Sequence, residues 1–125
     1  ERDSQGNYKA IQTKSTIAAD WDGVKSCADI HLSPDGRFLY GSNRGENTIV
    51  IFSVDKDSGT LTLVGRESVR GDRPRNFTLD PTGKFVLVAN QRSDNITVFS
   101  RDTEKGTLTF LNELATPAPV CLLFE

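Results

Sequence analysis

Two arginines, each next to an asparagine, are the residues of this 125-residue chain best suited to do chemistry. Arg44 follows Asn43 in "GSNRG", and Arg75 precedes Asn76 in "DRPRNF". A guanidinium group presents a planar fork of N–H donors that binds carboxylate or phosphate and can stabilise a developing oxyanion. These residue types therefore indicate a site for a small, anionic, hydroxylated molecule.

Further polar residues add amide and imidazole groups. Asn90 and Gln91 occur in "VANQRS", and His31, the single histidine of the chain, occurs in "ADIHL". His31 is a candidate general base because the ordinary pKa of imidazole lies near neutrality, although a lone histidine also fits a structural role. Two interpretations stay open for Asn43 and Asn90: substrate binding, and the capping of strand ends through side-chain hydrogen bonds to the backbone.

The composition argues against several classes of partner. The chain carries 15 Lys and Arg residues against 17 Asp and Glu, so its net charge of -2 gives no basic field for nucleic acid. No apolar run approaches the roughly 20 residues that span a bilayer, so membrane insertion is not expected. Cys27 and Cys121 lie far apart in no metal-ligand spacing. We expect no metal or other cofactor, buried free thiols in strands and a cytoplasmic location.

The chain repeats itself with a period of 47 residues. When residues 32–62 are laid on residues 79–109, 13 of the 31 positions are identical, with no insertion or deletion. Average residue usage would give about two identities. A repeat of this length is typical of a four-stranded β-propeller blade.

The local patterns within each repeat are those of β-structure. "SPDG" and "DPTG" have the Pro and Gly of a tight turn, and the aromatic and β-branched runs on either side predict a hairpin. "TIVIFSV" and "NITVFS" predict a third strand, and "TLTLVGRE" and "TLTFLNE" alternate as half-exposed strands do. Each repeat is therefore predicted to be a four-stranded antiparallel meander, and the fold to be all-β.

The flanks extend the pattern incompletely. Residues 6–17 match the last strand of a repeat, and "PVCLLF" at 119–124 matches the first. We predict a β-propeller fragment: 1–26 as the end of a preceding blade, 27–71 and 72–117 as complete blades, and 118–125 as the first strand of a closing blade. Because propellers close with 4 to 8 blades, we expect partners in further blades of a longer chain or in a second copy.

Meander topology predicts which residues share a face. The start of the first strand and the end of the second lie at the same edge of every blade. The residues expected at this common edge are Asp29, Asn43, Arg44, Arg75, Asn76, Asn90 and Gln91. The two repeats differ there in charge, because Arg75 replaces Ala28 and Gln91 replaces Arg44. A constant scaffold with a varied rim is how repeat proteins separate folding from function.

These segments resemble the C-terminal blades of the seven-bladed lactonase propellers. That family includes propeller 6-phosphogluconolactonases and fungal 3-carboxy-cis,cis-muconate lactonizing enzymes. The resemblance rests on "SPDGRFLY-SNRG", "PRNF-DPTGKF-L-ANQ-S" and a terminal "P-PVC", and it covers residues 8–124. It implies a metal-free enzyme that acts on small anionic lactones in a cleft at one face of the channel.

The resemblance also implies roles for individual residues. The arginine of the family's "SNR" motif matches Arg44, the first catalytic candidate, and the arginine of "PRN" matches Arg75, a substrate-binding candidate. A further family pair, which lies in an earlier blade, joins an arginine to a glutamate sixteen residues later. Here that spacing leads from Arg75 to Gln91, so the acidic partner is absent and the fragment alone is expected to be inactive.

Three functions are compatible with the sequence. The first is hydrolysis of a small anionic sugar lactone, as in 6-phosphogluconolactonase. In this hypothesis Arg44 and His31 are catalytic, and the substrate-binding residues are Arg75, Asn43, Asn76, Asn90 and Gln91. The second is the cycloisomerase reaction of the muconate lactonizing enzymes, and the third is a non-catalytic binding scaffold, because fold does not fix function.

Overall fold

A computed structural model describes residues 2–124, so the terminal residues of the two predicted flanking segments, Glu1 and Glu125, lie outside it. The described residues form eight strands and no helix. The strands are β1 (Lys25–Leu32), β2 (Phe38–Gly45), β3 (Thr48–Val54), β4 (Leu61–Ser68), β5 (Pro74–Leu79), β6 (Phe85–Asn90), β7 (Asn95–Arg101) and β8 (Leu108–Ala115). They pair in chain order into two four-stranded antiparallel sheets, here called the first blade (β1–β4) and the second blade (β5–β8). The predicted all-β architecture of two meander blades is confirmed.

Each blade begins with a hairpin closed by a tight turn. In the first blade the N–H of Gly36 donates to the carbonyl of Ser33 at 2.8 Å, and in the second blade Gly83 donates to Asp80 at the same distance. Both glycines adopt positive φ values, 71° and 67°, a conformation that costs glycine no steric energy. The Gly of "SPDG" and "DPTG" therefore fixes the register of β1 on β2 and of β5 on β6.

Both inner strands carry a bulge at the same place in the repeat. The register of β1 on β2 shifts between Cys27 and Ile30, and that of β5 on β6 shifts between Pro74 and Asn76. Arg75 is the residue that the second shift leaves without a partner in β6. A bulge bends the strand and changes the direction of the side chains on it. The Arg75 side chain therefore does not follow the regular two-residue alternation of the strand.

An apolar core lies between the blades. Alternate side chains of β2 and β3 face the second blade, while β5, β6 and β7 supply the opposing surface. The buried members of this cluster are Phe38, Tyr40, Ile49, Ile51, Val69, Phe77, Val86, Val88, Phe99 and Leu108. Burial of aromatic and branched side chains between two sheets is the dominant force that holds one blade on the other.

A buried cation crosses this core. Arg101, at the end of β7, is 6% exposed and donates from Nε to the Tyr40 hydroxyl at 2.8 Å and from Nη1 to the Gly83 carbonyl at 2.9 Å. Its Nη2 lies 3.2 Å from the carboxylate of Asp35, and its guanidinium lies over the Phe38 ring. Tyr40 in turn donates to the carbonyl of Gly106 at 2.8 Å. An ion pair and hydrogen bonds thereby link the turn at Asp35 in the first blade to the loops at Gly83 and Gly106 in the second.

The environment of Asp35 favours its charged form. Burial by itself raises the pKa of Asp35, but hydrogen bonds from the Ser33 hydroxyl, the Arg37 amide and Arg101 together lower that pKa to about 2. The neighbouring phenol responds in the other direction, because burial raises the pKa of Tyr40 despite its hydrogen bond with Arg101. At neutral pH the link therefore consists of an ionised carboxylate, a guanidinium and a neutral phenol.

The two flanking strands of the prediction do not form. Residues 9–15 and 119–124 carry no strand pairing, and Tyr8 makes only an isolated bridge with Arg2. A ladder needs a neighbouring strand whose backbone groups are free, and the first segment touches the edge strand β4 through a side chain instead. Leu61 donates its N–H to Oε1 of Gln12 at 2.7 Å, and Gln12 returns a bond to the Leu61 carbonyl.

Both segments nevertheless lie where the repeat requires them. Asn43 donates to the carbonyl of Thr16, and its counterpart Asn90 donates to the carbonyl of Val69, the residue that follows β4 in the first blade. At the other end, Leu122 donates its N–H to the Asn76 side chain at 2.7 Å. The two segments therefore lie at the positions that strands of the preceding and following blades would take, but they do not pair as strands.

Gly106 offers a test of the packing between the blades. A Cβ at this position would lie 2.3 Å from the ring of Phe38, whereas a Cβ at the equivalent Gly59 would meet nothing closer than 3.6 Å. Both glycines have positive φ, 75° and 68°, so the backbone strain of alanine is common to the two sites. We expect Gly106→Ala to lower the free energy of unfolding by about 1–3 kcal/mol more than Gly59→Ala does, because only the former overpacks the core. Denaturant unfolding measures this difference, and equal losses would contradict the packing described.

The ionised Asp35 predicts a specific acid sensitivity. Its folded-state pKa of about 2 lies below the ordinary value, so its stabilising contribution is complete above about pH 4 and is lost as the pH falls toward 2. Asp35→Asn should lower stability at neutral pH and flatten the decline in melting temperature between pH 4 and 2. Asp57→Asn, at an exposed position, is the matched control and should leave that slope unchanged. An unchanged slope in Asp35→Asn would refute the assignment.

Candidate functional site

One edge of the two blades carries the polar residues singled out in the sequence. Ser26 in β1 pairs with Arg44 in β2, and Pro74 in β5 pairs with Asn90 in β6. The starts of the inner strands and the ends of the second strands therefore lie together. This edge, here called the rim, contains two shallow depressions that share Arg44.

The first depression brings together the two arginines predicted as site residues. It has a volume of about 170 Å³ and is lined by Cys27, Ala28, Arg44 and Arg75. Arg44 is held in place by its own blade, because its Nη2 donates to the Ser26 hydroxyl at 2.8 Å and to the Cys27 carbonyl at 2.9 Å. Arg75 reaches the same depression from the bulge of β5 in the second blade and is exposed.

The second depression contains two arginines that the sequence analysis did not select. It has a volume of about 220 Å³, and its lining residues are Val24, Ser26, Arg44, Gly45, Asp72, Arg73 and Arg92. In the repeat alignment Arg73 stands where the first copy has Ser26, and Arg92 stands where it has Gly45. Both positions differ in charge between the two repeats, as the position of Arg75 does. A comparison of the repeats that included the residues flanking the strands would therefore predict Arg73 and Arg92.

The position of Arg73 is set by a residue of the first blade. The Asn47 side chain accepts a hydrogen bond from the N–H of Arg73 at 3.0 Å and donates to the Asp72 carboxylate, also at 3.0 Å. Both Asn47 and Arg73 have positive φ values, 55° and 62°. Such a backbone persists in a residue other than glycine when its surroundings hold it firmly, so the link between the blades places Arg73 at a fixed point of the rim.

The rim is strongly positive. Four guanidinium groups and one carboxylate line the two depressions, and within residues 2–124 none of the four arginines forms an ion pair. In the same part of the chain, the Nε atoms of Arg44 and Arg73 are buried and have no hydrogen-bond partner. A buried donor without a partner is destabilising, and an acceptor such as an anion oxygen would satisfy it.

The two conserved asparagines of the repeat serve the scaffold. Asn43 and Asn90 are both fully buried. The Asn43 amide donates to the carbonyl of Thr16 at 2.9 Å and to the Thr48 hydroxyl at 3.2 Å, and Asn90 donates to the Thr97 hydroxyl at 3.1 Å. The structure thus gives both side chains the capping role that the sequence had left open, and neither side chain reaches the surface.

His31 and Asn76 belong to a network around Asp29. The Asp29 carboxylate accepts from the Asn76 amide at 2.6 Å and from the N–H of Phe77, and it lies 3.1 Å from Nε2 of His31. The imidazole packs edge-on against the Phe77 ring at 4.8 Å. His31 lies five residues along β1 from Ser26, the partner of Arg44, and it lines neither depression.

Gln91 stands at the rim without facing either depression. Its backbone N–H donates to the carbonyl of Arg73 at 3.1 Å, and its side chain is absent from both linings. The catalytic role predicted for His31 and the substrate-binding roles predicted for Asn76 and Gln91 stay predictions. Among residues 2–124 no three His, Cys, Asp or Glu side chains are grouped as metal ligands would be.

Comparison with known proteins identifies the family. Residues 1–124 match the family described as lactonase, seven-bladed β-propeller. The chain is a member of that family. A 6-phosphogluconolactonase of Formosa agariphila is 52% identical over 76 residues, which are 59% of this chain and 21% of that protein.

Solved structures show the same architecture. The periplasmic gluconolactonase of Pseudomonas aeruginosa superposes with a TM-score of 0.89 at 42% identity, over 93% of this chain and 32% of that one. A Lactobacillus plantarum protein superposes with a TM-score of 0.92 at 45% identity, over 97% of this chain and 36% of that one. The chain thus spans about a fifth of the Formosa protein and about a third of these two structures.

Proposed function

We propose that these two blades belong to a seven-bladed enzyme that hydrolyses a small anionic sugar lactone of the 6-phosphogluconolactone type. The observation that carries the proposal is the meeting of Arg44 and Arg75, from adjacent blades, in one depression where neither forms an ion pair with a described residue. The names of relatives in the same family, 6-phosphogluconolactonase and gluconolactonase, support it.

The proposed reaction opens an internal ester. Water loses a proton to a general base and adds to the lactone carbonyl carbon, and the negative charge gathers on the carbonyl oxygen. The ring C–O bond then breaks, its oxygen takes up a proton, and a hydroxy acid remains. Arg44 is suited to the oxyanion because Ser26 and Cys27 already hold one of its Nη atoms, so little reorganisation accompanies the reaction. Arg75 is suited to binding the lactone group of the substrate and the carboxylate that forms from it.

The general base is proposed to come from a blade outside this chain. The carboxylate lining the described depressions is that of Asp72, which already accepts a hydrogen bond from Asn47. The glutamate of the family's further pair lies in an earlier blade, and Gln91, at the corresponding spacing in this blade, carries no proton-accepting carboxylate. The 125 residues alone are therefore proposed to be inactive, and the activity to belong to the complete propeller, meaning the seven-bladed protein that contains them.

The partner of these blades is proposed to be the rest of that propeller. Large apolar side chains of both blades remain exposed, notably Ile30 at 64% and Leu32 at 54% in β1 and Leu114 at 62% in β8. Such residues are normally covered by neighbouring blades in a closed ring. A second copy of the chain is the alternative partner for these exposed side chains.

Residues 2–124 include no helix long and apolar enough to span a membrane.

A cytoplasmic location is also a proposal. Cys27 and Cys121 are free thiols, as is usual in a reducing compartment, and both are exposed, so the prediction that they are buried is wrong. The P. aeruginosa relative is described as periplasmic.

Substitution of Arg44 tests the proposed activity. In the complete propeller, Arg44→Ala should reduce kcat for 6-phosphogluconolactone by about 10²-fold or more, because it removes a positioned donor to the oxyanion. Arg75→Ala should chiefly raise KM. Lys56→Ala, which removes an exposed charge from the loop between β3 and β4, is the control and should keep full activity.

Lactone loss is followed directly, and carboxymuconate is tested in parallel for lactone formation. Undiminished turnover in Arg44→Ala would remove that residue from the mechanism. No acceleration of either reaction by the unsubstituted propeller would favour a binding scaffold.

A further inference from the structure

The second depression of the rim contains arginines that the reaction proposed above does not use. Arg73 and Arg92 line it together with Arg44, which the two depressions share. We infer that Arg73 and Arg92, next to the shared Arg44, form a subsite that holds a phosphate monoester on the substrate, while Arg44 and Arg75 act on the lactone group. The inference rests on the proposed function for the nature of the second group, and on the geometry of the rim for the subsite itself.

The charges of this depression fit a dianion better than a single carboxylate. Arg44, Arg73 and Arg92 oppose a single acidic residue, Asp72, so the lining carries a formal excess of two positive charges. The Asp72 carboxylate is turned to the Asn47 amide, at 3.0 Å, and forms no ion pair with a described arginine. A phosphate monoester carries up to two negative charges and three acceptor oxygens, which suits several guanidinium forks at once.

The hydrogen-bonding state of the arginines points the same way. The Nε atoms of Arg44 and Arg73 are buried and lack partners within the described residues, although both side chains border the same depression. Three like charges around a small cavity repel one another, and the repulsion is relieved when an anion enters. The depression is therefore arranged to receive negative charge.

The subsite is a special feature of this pair of blades. The residues that correspond to Arg73 and Arg92 in the first repeat are Ser26 and Gly45, which have no charge. Asn47 fixes Arg73 from the neighbouring blade, through the hydrogen bond to its N–H and a backbone at positive φ. Both the charges and their support thus occur at the junction of the two blades, directly beside Arg44.

The test compares two lactones that differ only in phosphate. In the complete propeller carrying Arg73→Ala and Arg92→Ala together, we expect the ratio of kcat/KM for 6-phosphogluconolactone to that for gluconolactone to fall at least fivefold. Lys105→Ala is the control, because it removes a positive charge from the opposite end of the second blade and should leave the ratio unchanged. A smaller fall in the double variant overturns the inference.

A binding measurement tests the subsite even if the propeller has no lactonase activity. If the unsubstituted propeller hydrolyses neither lactone, calorimetric titration with inorganic phosphate decides. At least fivefold weaker binding in the double variant supports the subsite, whereas equal binding, or no binding to the unsubstituted protein, overturns it. If Arg73→Ala fails to fold, Arg92→Ala combined with Arg73→Lys takes its place, because Arg92 is exposed and lysine keeps the charge without the fork.

Discussion

The buried guanidinium of Arg101 is the interaction on which the arrangement of the two blades depends. Its side chain is 1% exposed, and three groups satisfy it: the Tyr40 hydroxyl, the Gly83 carbonyl and the Asp35 carboxylate. A charge removed from water in this way is tolerated only when its partners are correctly placed. Sliding or rotation of one blade against the other would therefore leave a buried charge without its partners.

Strands β1 and β2 connect the Arg101 network to the rim. The Arg101 network lies where β1 and β2 are joined by the turn at Asp35, and the rim lies at the far end of the same two strands. Because the turn fixes one end and the apolar core fixes the middle, Arg44 of the first blade and Arg75 of the second meet at a defined place. The link between Asn47 and the backbone of Arg73 secures the rim end directly. A site shared by two blades is thus held at both ends of their common interface.

The repeat made most of the fold predictable. An ungapped period of 47 residues, with turn glycines and alternating apolar runs, is enough to place eight strands in two meanders, since each feature has a local physical cause. The flanking strands were predicted by similarity to the repeat alone, and they failed because strand pairing is not a local property. Residues 9–15 and 119–124 have the right sequence and positions, but no adjacent strand offers them a ladder.

The candidate site was only partly predictable. Topology correctly placed Arg44 and Arg75 at one edge, because it depends only on strand direction. It could not show that Asn43 and Asn90 are buried, that His31 is hydrogen-bonded to Asp29, or that Arg73 and Arg92 lie beside Arg44 at the rim. The direction of a side chain at a β-bulge and the position of a loop residue with positive φ cannot be read from the two-residue alternation of a strand.

The most direct test of the account is a crystal structure of the complete propeller with bound 6-phosphogluconate, the product of the proposed reaction. The account predicts its carboxylate within hydrogen-bonding distance of Arg44 and Arg75. A product bound elsewhere, with both arginines free of contact, would contradict the central claim that the junction of these two blades forms the reactive site.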